Sequence, residues 1–330
     1  MIMAKKRIEY IDHLRGLALI GVVWFHTAHP DFIEFSWRIP LFFLISGIFF
    51  RPYEPKVFFK KKINQLIVPT IFFYLVYCLF YICLWAGKHH GLAGFDYKVL
   101  LGIFGLYSGS ESFPMNQPLW FIFALLDIQL VLYALLRLTS NKWILVLVAL
   151  AITIAGVNGL YKLPTPFMIS RSTPYFIYFT LGYVLGMPLL GIIDKGSGRN
   201  YWILLAVSVV TFLVSIITLY GFGIRSDGQF SILDYVAILS FIILLIFLMQ
   251  KIYRYRVCEP FNFYGKNTFV LLGIHDILLT IMLLGVNHLF GGNNLILGIV
   301  QVILVLCITY PITLWCNKHI PKLIGKQDLF

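Results

Sequence analysis

Charge is what this chain has least of. Only 12% of its 330 residues are charged and 14 are acidic, against a hydrophobic share of 60% and a mean hydropathy of +0.86. Such a composition excludes a water-soluble domain of this length and predicts an integral membrane protein built as an all-α, polytopic helix bundle. Cysteine is scarce as well. Cys78, Cys83, Cys258, Cys307 and Cys316 show no disulfide or metal-ligand spacing, and four of them fall in apolar runs, where they read as small hydrophobes. No metal site is expected. The chain also lacks a long hydrophilic stretch and an internal repeat, in particular the matched pair of broken helices that points to an alternating-access transporter. A single domain over 1–330 is the economical reading. No small-residue cleavage pattern follows the first apolar stretch, which carries three ionisable residues, so it is expected to be retained rather than removed as a signal peptide.

What is present is a series of ten apolar runs, at 11–29, 36–50, 66–87, 117–137, 142–160, 172–193, 200–221, 231–250, 267–287 and 295–316. About ten helices are therefore expected. The net charge of +12 would suggest nucleic acid in a soluble protein, but here the placement of Lys and Arg matters more than their sum. Most of the 26 cationic residues fall in alternate segments, as in Lys5-Lys6-Arg7, Arg51 to Lys62, Lys251 to Lys266 and Lys318 to Lys326. The opposite segments hold only Arg38, Lys88, Lys98, Lys162, Arg171 and Arg225. By the positive-inside rule both termini face the cytoplasm of a cell (inner or plasma) membrane, and membrane lipids rather than nucleic acid are the expected surroundings. Between Lys88 and Asn116 lies the longest extracytoplasmic loop, whose apolar patch Val99 to Tyr107 is too short to span and reads as interfacial or re-entrant. The second run, 36–50, is also short and is expected to pack inside the bundle.

The first run carries Asp12, Arg15 and His26. At 100° per residue the eleven-residue step from Arg15 to His26 returns to within about 20° of whole turns, and Asp12 stays on the same side, so all three share a face. Arg15 and His26 are then roughly 16 Å apart along the axis, a charge near one surface and an imidazole deep in the membrane. Intramembrane ionisable residues are rare and functional by default. A histidine in a core is alternatively satisfied by a carbonyl or hydroxyl, and Asp12 and Arg15, three apart, alternatively pair with each other as an anchor. The functional reading makes His26 a general base, since imidazole takes a proton from a hydroxyl near neutral pH.

Further candidates follow along the chain. Lys60-Lys61-Lys62 stands at the cytoplasmic mouth of the third run, either as a topogenic cluster meeting anionic headgroups or as a landing site for a phosphorylated donor. His275 and Asp276 lie in the ninth run; neighbours in sequence cannot share a helix face, so Asp276 is expected to serve another partner. Trp120 and Asp127 share a face of the fourth run. Ser46, beside Gly47, either lines a cavity or permits close helix packing.

Together these elements resemble the acyltransferase-3 family of integral membrane O-acyltransferases, through most of the chain. The residues that carry the resemblance are Asp12, Arg15-Gly16 and His26 as the family's Arg-x10-His signature, and Pro40 to Gly47 as its PLFF-x-x-SG segment. The basic run ending in Pro69, Leu119-Trp120-Phe121, and Tyr264 to Thr268 leading to His275 add to it. With Arg7 to Asp12 the chain looks most like the fucose 4-O-acetylase-like branch, although Arg38-Ile39 stands where that branch often has a basic or His residue followed by Met. Another branch has Trp-Ser-Leu and then a glutamate; here Trp120-Phe121-Ile122 stands at that motif, and Asp127 lies two positions beyond the place of that glutamate. The resemblance implies acyl transfer from acyl-CoA, most often acetyl-CoA, to a hydroxyl of an extracytoplasmic glycan or lipid-linked sugar. The acyl-CoA is a cosubstrate, and no permanently bound cofactor is expected. On this reading Arg15, Lys60, Lys61 and Lys62, with Ser46 and Lys266, hold the donor, and His26 is the base. His275, Asp127, Asp12 and Arg15 complete the catalytic set, and Trp120, Trp37 and Arg38 face the acceptor. No serine sits in a recognisable nucleophile motif, which favours direct transfer, with an acyl-histidine as the other route. The competing reading is a carrier or flippase for a small molecule or lipid-linked sugar; a polysaccharide polymerase or glycosyltransferase would need a larger extramembrane loop than this chain has.

Overall fold

The computed structural model describes residues 8–27, 36–97, 100, 117–163, 165, 167, 169–221, 231–290 and 295–329, with backbone only at 117, 220, 221 and 284–290. The described residues form α-helices and short 3-10 and π turns, with no strand. In chain order the α-helices are α1 Glu9–Phe25, α2 Arg38–Ile48, α3 Pro55–Lys62, α4 Val68–His89, α5 Trp120–Leu138, α6 Lys142–Val157, α7 Ile169–Ser172, α8 Phe176–Asp194, α9 Arg199–Ile216, α10 Ile232–Ile252, α11 Glu259–Lys266, α12 Thr268–Phe290 and α13 Leu295–His319. Among the described residues six helical stretches are long and apolar enough to cross a membrane, and a seventh is added if the bent pair α11 and α12 counts as one span. The chain is thus an all-α, multi-pass membrane protein. Of the apolar patch Val99 to Tyr107, all but Leu100 lies outside the described residues.

Local chemistry sets several boundaries. The Asn141 side chain accepts from the Trp143 amide at 2.9 Å and opens α6, and Ser231 with Asp234 forms a capping box at α10. Pro40 lies in the first turn of α2, where its missing N–H breaks no helical bond, so α2 starts as early as Arg38. The third apolar run was expected to start near residue 66; helix begins instead at Pro55 and continues through a π turn, Ile63–Ile67, into α4. The π turn leaves Pro69 without a clash in the ladder, and buried Asn64 bonds Lys60 O at 3.0 Å. The ninth run, 267–287, begins at a bend at Asn267, where the preceding α11 and α12 meet at 91°. Asn267 is held there by its bond to Phe263 O at 2.7 Å and by Asn317 at 2.9 Å.

Two close crossings organise the bundle. A Cβ on Gly16 would fall 1.8 Å from Phe261 O, and one on Gly265 would fall 1.7 Å from Asp12 O, so α1 and α11 touch backbone to backbone. Gly47 and Gly182 make the same reciprocal fit between α2 and α8, at 2.0 Å from Phe179 O and 2.1 Å from Leu44 O. In lipid, where the hydrophobic effect does not drive helices together, such small-residue contacts supply the packing that does. They leave α2 almost wholly buried, with Leu41, Phe43 and Ile45 inaccessible.

Candidate active site

The imidazole of His26 sits where α1 ends: Phe25 is the last helical residue, and the His26 amide bonds Val23 O at 3.1 Å. Freed from the helix, it meets the ring of His275 from α12, with centroids 5.6 Å apart. His275 is fully buried. Its Nδ1 lies 3.0 Å from Leu271 O, and because a carbonyl only accepts, Nδ1 carries the proton and Nε2 is left as an acceptor. Among the described residues that Nε2 has no partner. A buried unsatisfied acceptor costs about 1–3 kcal/mol, which a bound hydroxyl or N–H recovers. Asp276, next in sequence, turns to a different neighbour as expected: Tyr77 of α4 hydrogen-bonds it, and it lies within electrostatic reach of His26.

His26 opens onto a cavity of about 260 Å³ whose wall also holds Arg38, Trp120, Arg171 and Tyr175, with Leu272 one turn from His275. Arg38 comes from the start of α2 and lies over the Phe25 ring at 5.0 Å. Trp120 leans on Tyr175 at 5.8 Å, and Tyr175 stacks on Phe43 at 5.0 Å. The arrangement offers an imidazole to a hydroxyl, guanidinium donors, and flat aromatic faces of the kind sugar rings stack against.

At the other end of α1 and α2 the cations gather. Arg15 pairs with Asp12 at 3.4 Å and lies over Phe49 at 5.5 Å. Lys62 lies over Phe50 at 5.7 Å and Phe58 at 5.2 Å, and Lys61 over Tyr53 at 3.7 Å, while Lys60 is exposed. Arg15 and Lys62 are thereby brought to neighbouring rings, Phe49 and Phe50, just past the end of α2. By helical rise this cationic mouth is roughly 16 Å from the cavity end of the same helix.

Other expected residues go elsewhere. Trp37 does not line the cavity; its ring packs edge-on against Phe241 of α10 at 5.7 Å. Asp127 is two turns beyond Trp120 and outside the cavity, its Oδ2 buried with no partner among the described residues. Ser46 is half-buried on α2, away from the cavity lining, and its neighbour Gly47 serves helix packing. Lys266 ends α11, where its carbonyl accepts from Lys326. The face of α1 between Arg15 and His26 is not a polar lining: Leu19 and Val22 fill it. Tyr175 and the pairing of Asp276 with Tyr77 carry no short-range sequence signal, since each depends on helices far apart in the chain.

The fold defines a multi-pass membrane protein with a partly polar cavity at the end of α1 and α2. Residues 8–318 match the acyltransferase-3 family, described as an acyltransferase domain, and the chain belongs to that family. It is a membrane acyltransferase. No curated protein and no solved structure matches it.

Proposed function

We propose that the protein transfers an acyl group, acetyl being the foremost candidate, from cytosolic acyl-CoA to a hydroxyl of an extracytoplasmic sugar on a surface or secreted glycan. It would do so with about ten spans, both termini in the cytoplasm of a cell membrane, and as a fucose 4-O-acetylase-like member of its family. One observation carries the reading: the half-buried His26 faces the acceptor nitrogen-bearing ring of His275 at 5.6 Å, in a cavity about three turns of helix from a cationic mouth. A polyanionic CoA cannot cross the bilayer, so Arg15, Lys60, Lys61 and Lys62 hold its phosphates at the mouth. The pantetheine arm then carries the thioester inward.

In the cavity, His26 removes the proton from the acceptor hydroxyl as its oxygen attacks the thioester carbonyl. The C–S bond breaks, the C–O ester bond forms, and the proton passes to the departing thiolate. His275 accepts a hydrogen bond that orients the reacting hydroxyl or the His26 ring. Arg38 and Trp120 hold the sugar, and Arg171 and Tyr175 join them. Asp12 holds Arg15 in place. Asp127, Ser46 and Lys266 are given no part in this chemistry.

Exchange of His26 for Ala is expected to lower acyl transfer by about 10²–10⁴-fold. The check is mass spectrometry of surface glycans from cells expressing either form, with membrane insertion followed by size-exclusion of the purified protein. Glycans fully acylated by inserted His26→Ala protein would sink the proposal, and would favour a carrier.

A further inference from the structure

A second cavity, about 640 Å³, lies between α6, α8 and α10 and shares no lining residue with the first. Its walls are mostly apolar, with Leu150 and Ile154 from α6, Leu181 from α8, and Val236 and Leu239 from α10, beside the rings of Tyr178 and Tyr235. Leu150, Ile154 and Val236 are all exposed, so the groove opens sideways from the bundle toward lipid. Deeper polar groups are already engaged. Thr153 donates to Thr173 O at 3.3 Å, Tyr235 to Pro174 O at 2.9 Å and Asn158 to Ile154 O at 2.8 Å, so a ligand entering here meets mainly hydrocarbon and tyrosine rings.

One end of the groove is different. Lys162 lines it there, exposed and 5.7 Å from the Tyr161 ring. The 3-10 turn that carries Lys162 packs against α7, fastened by the Ser170 hydroxyl on Leu163 O at 2.6 Å and by Thr165 on Ser170 at 3.0 Å. Arg171, the residue after Ser170, lines the His26 cavity. Farther along, Tyr175 lines the first cavity and Ile177 and Tyr178 the second, so the stretch 171–181 is a wall common to both.

An apolar trough open to lipid, closed at one end by a cation, fits a hydrocarbon chain with an anionic head. An ordinary phospholipid would use only that much. Here a second cation and the reaction cavity stand directly beyond the head position, so a headgroup that extends further is also accommodated. We propose that the groove seats the hydrocarbon chain of a phosphate-bearing lipid carrier. Lys162 meets its phosphate, and the sugar it carries passes Arg171 into the His26 cavity, so that the acceptor is lipid-linked when it is acylated. The proposal rests on the acyl-transfer reading for its second half and on the groove alone for its first.

The test uses the full chain in nanodiscs and a photoactivatable farnesyl phosphate, with labelled peptides mapped by mass spectrometry. Labelling is expected on α6, α8 and α10. Val236→Trp, which fills the groove from its exposed edge, and Lys162→Glu are each expected to reduce it by about tenfold or more. Farnesol and phosphatidylglycerol are expected to compete at least about tenfold less well than farnesyl phosphate, having lost the charge or the matching chain. Equal competition by phosphatidylglycerol would make this a structural lipid site and overturn the proposal, as would unchanged labelling of a well-folded Val236→Trp protein. Acylation measured on the same samples separates the two readings. Groove labelling without any acyl transfer defeats the transfer reading alone, whereas transfer to a lipid-borne sugar at an unaltered rate in Val236→Trp defeats the groove.

Discussion

His26 owes its position to the last turn of α1. One residue earlier its ring would be committed to the helix surface; as the cap it swings against His275, whose own proton is fixed on Nδ1 by Leu271 O. The acceptor Nε2 is then the feature that a substitution should preserve. Gln at 275 can return an oxygen near the Nε2 position, whereas Asn is too short and Ala offers nothing. Acyl-transfer rates are therefore expected to fall about 10–100-fold in His275→Ala and His275→Asn but by less in His275→Gln. Equal losses in all three would show that the ring matters only for packing. Asp276, tied to Tyr77, belongs to the same assembly as a positioning residue. Replacing it with Asn is expected to lower kcat while leaving KM for acyl-CoA near its original value, since the proposed donor site lies at the far mouth.

The crossing of α1 with α11 governs where the two ends of the signature stand. Gly16 and Gly265 each sit where a Cβ would meet a backbone oxygen under 2 Å away, and a backbone cannot move aside as a side chain can. Gly16→Ala is expected to destabilise the protein by about 1–3 kcal/mol, seen as a lower midpoint in a thermal or denaturant unfolding assay in detergent. Gly87→Ala is the matched control. It lies in α4 with nothing within 4 Å of its Cβ, so the better helix propensity of Ala should leave stability equal or slightly higher. The apolar periodicity of α1 and the buried character of the short α2 were both readable from residue type and spacing. The early start of α3 was not, because Lys60 to Lys62 read as a boundary in hydropathy, while the backbone simply continues through a π turn whose Asn64 is pinned by the distant Leu329 amide.

Across the whole molecule, α1 and α2 run antiparallel, which sets the His26 cavity at one end of both and the Arg15 and Lys62 cations at the other. The proposed topology makes the cation end cytoplasmic. Single cysteines at Lys60 and at Lys162, introduced in a background in which Cys83 and Cys307 are replaced by Ser, test that orientation with a membrane-impermeant maleimide on intact cells. Labelling is expected at 162 and not at 60, and the reverse pattern would invert the proposed donor and acceptor sides.

Composition, apolar run lengths and the cation distribution determined that this is a helical membrane protein and where its main helices lie, because hydropathy and helical periodicity act over a few turns of chain. They also singled out His26, Arg38 and Trp120, which the fold brings to one cavity, because polar groups in lipid are too costly to be scattered by accident. Only the tertiary structure decided that His275 faces His26, that Trp37 turns away to Phe241, and that an open, mostly apolar groove shares a wall with the cavity. Those outcomes depend on which helices meet. In lipid that choice is made by the fit of small residues such as Gly16 to Gly265 and Gly47 to Gly182, contacts hundreds or scores of residues apart that no local pattern encodes.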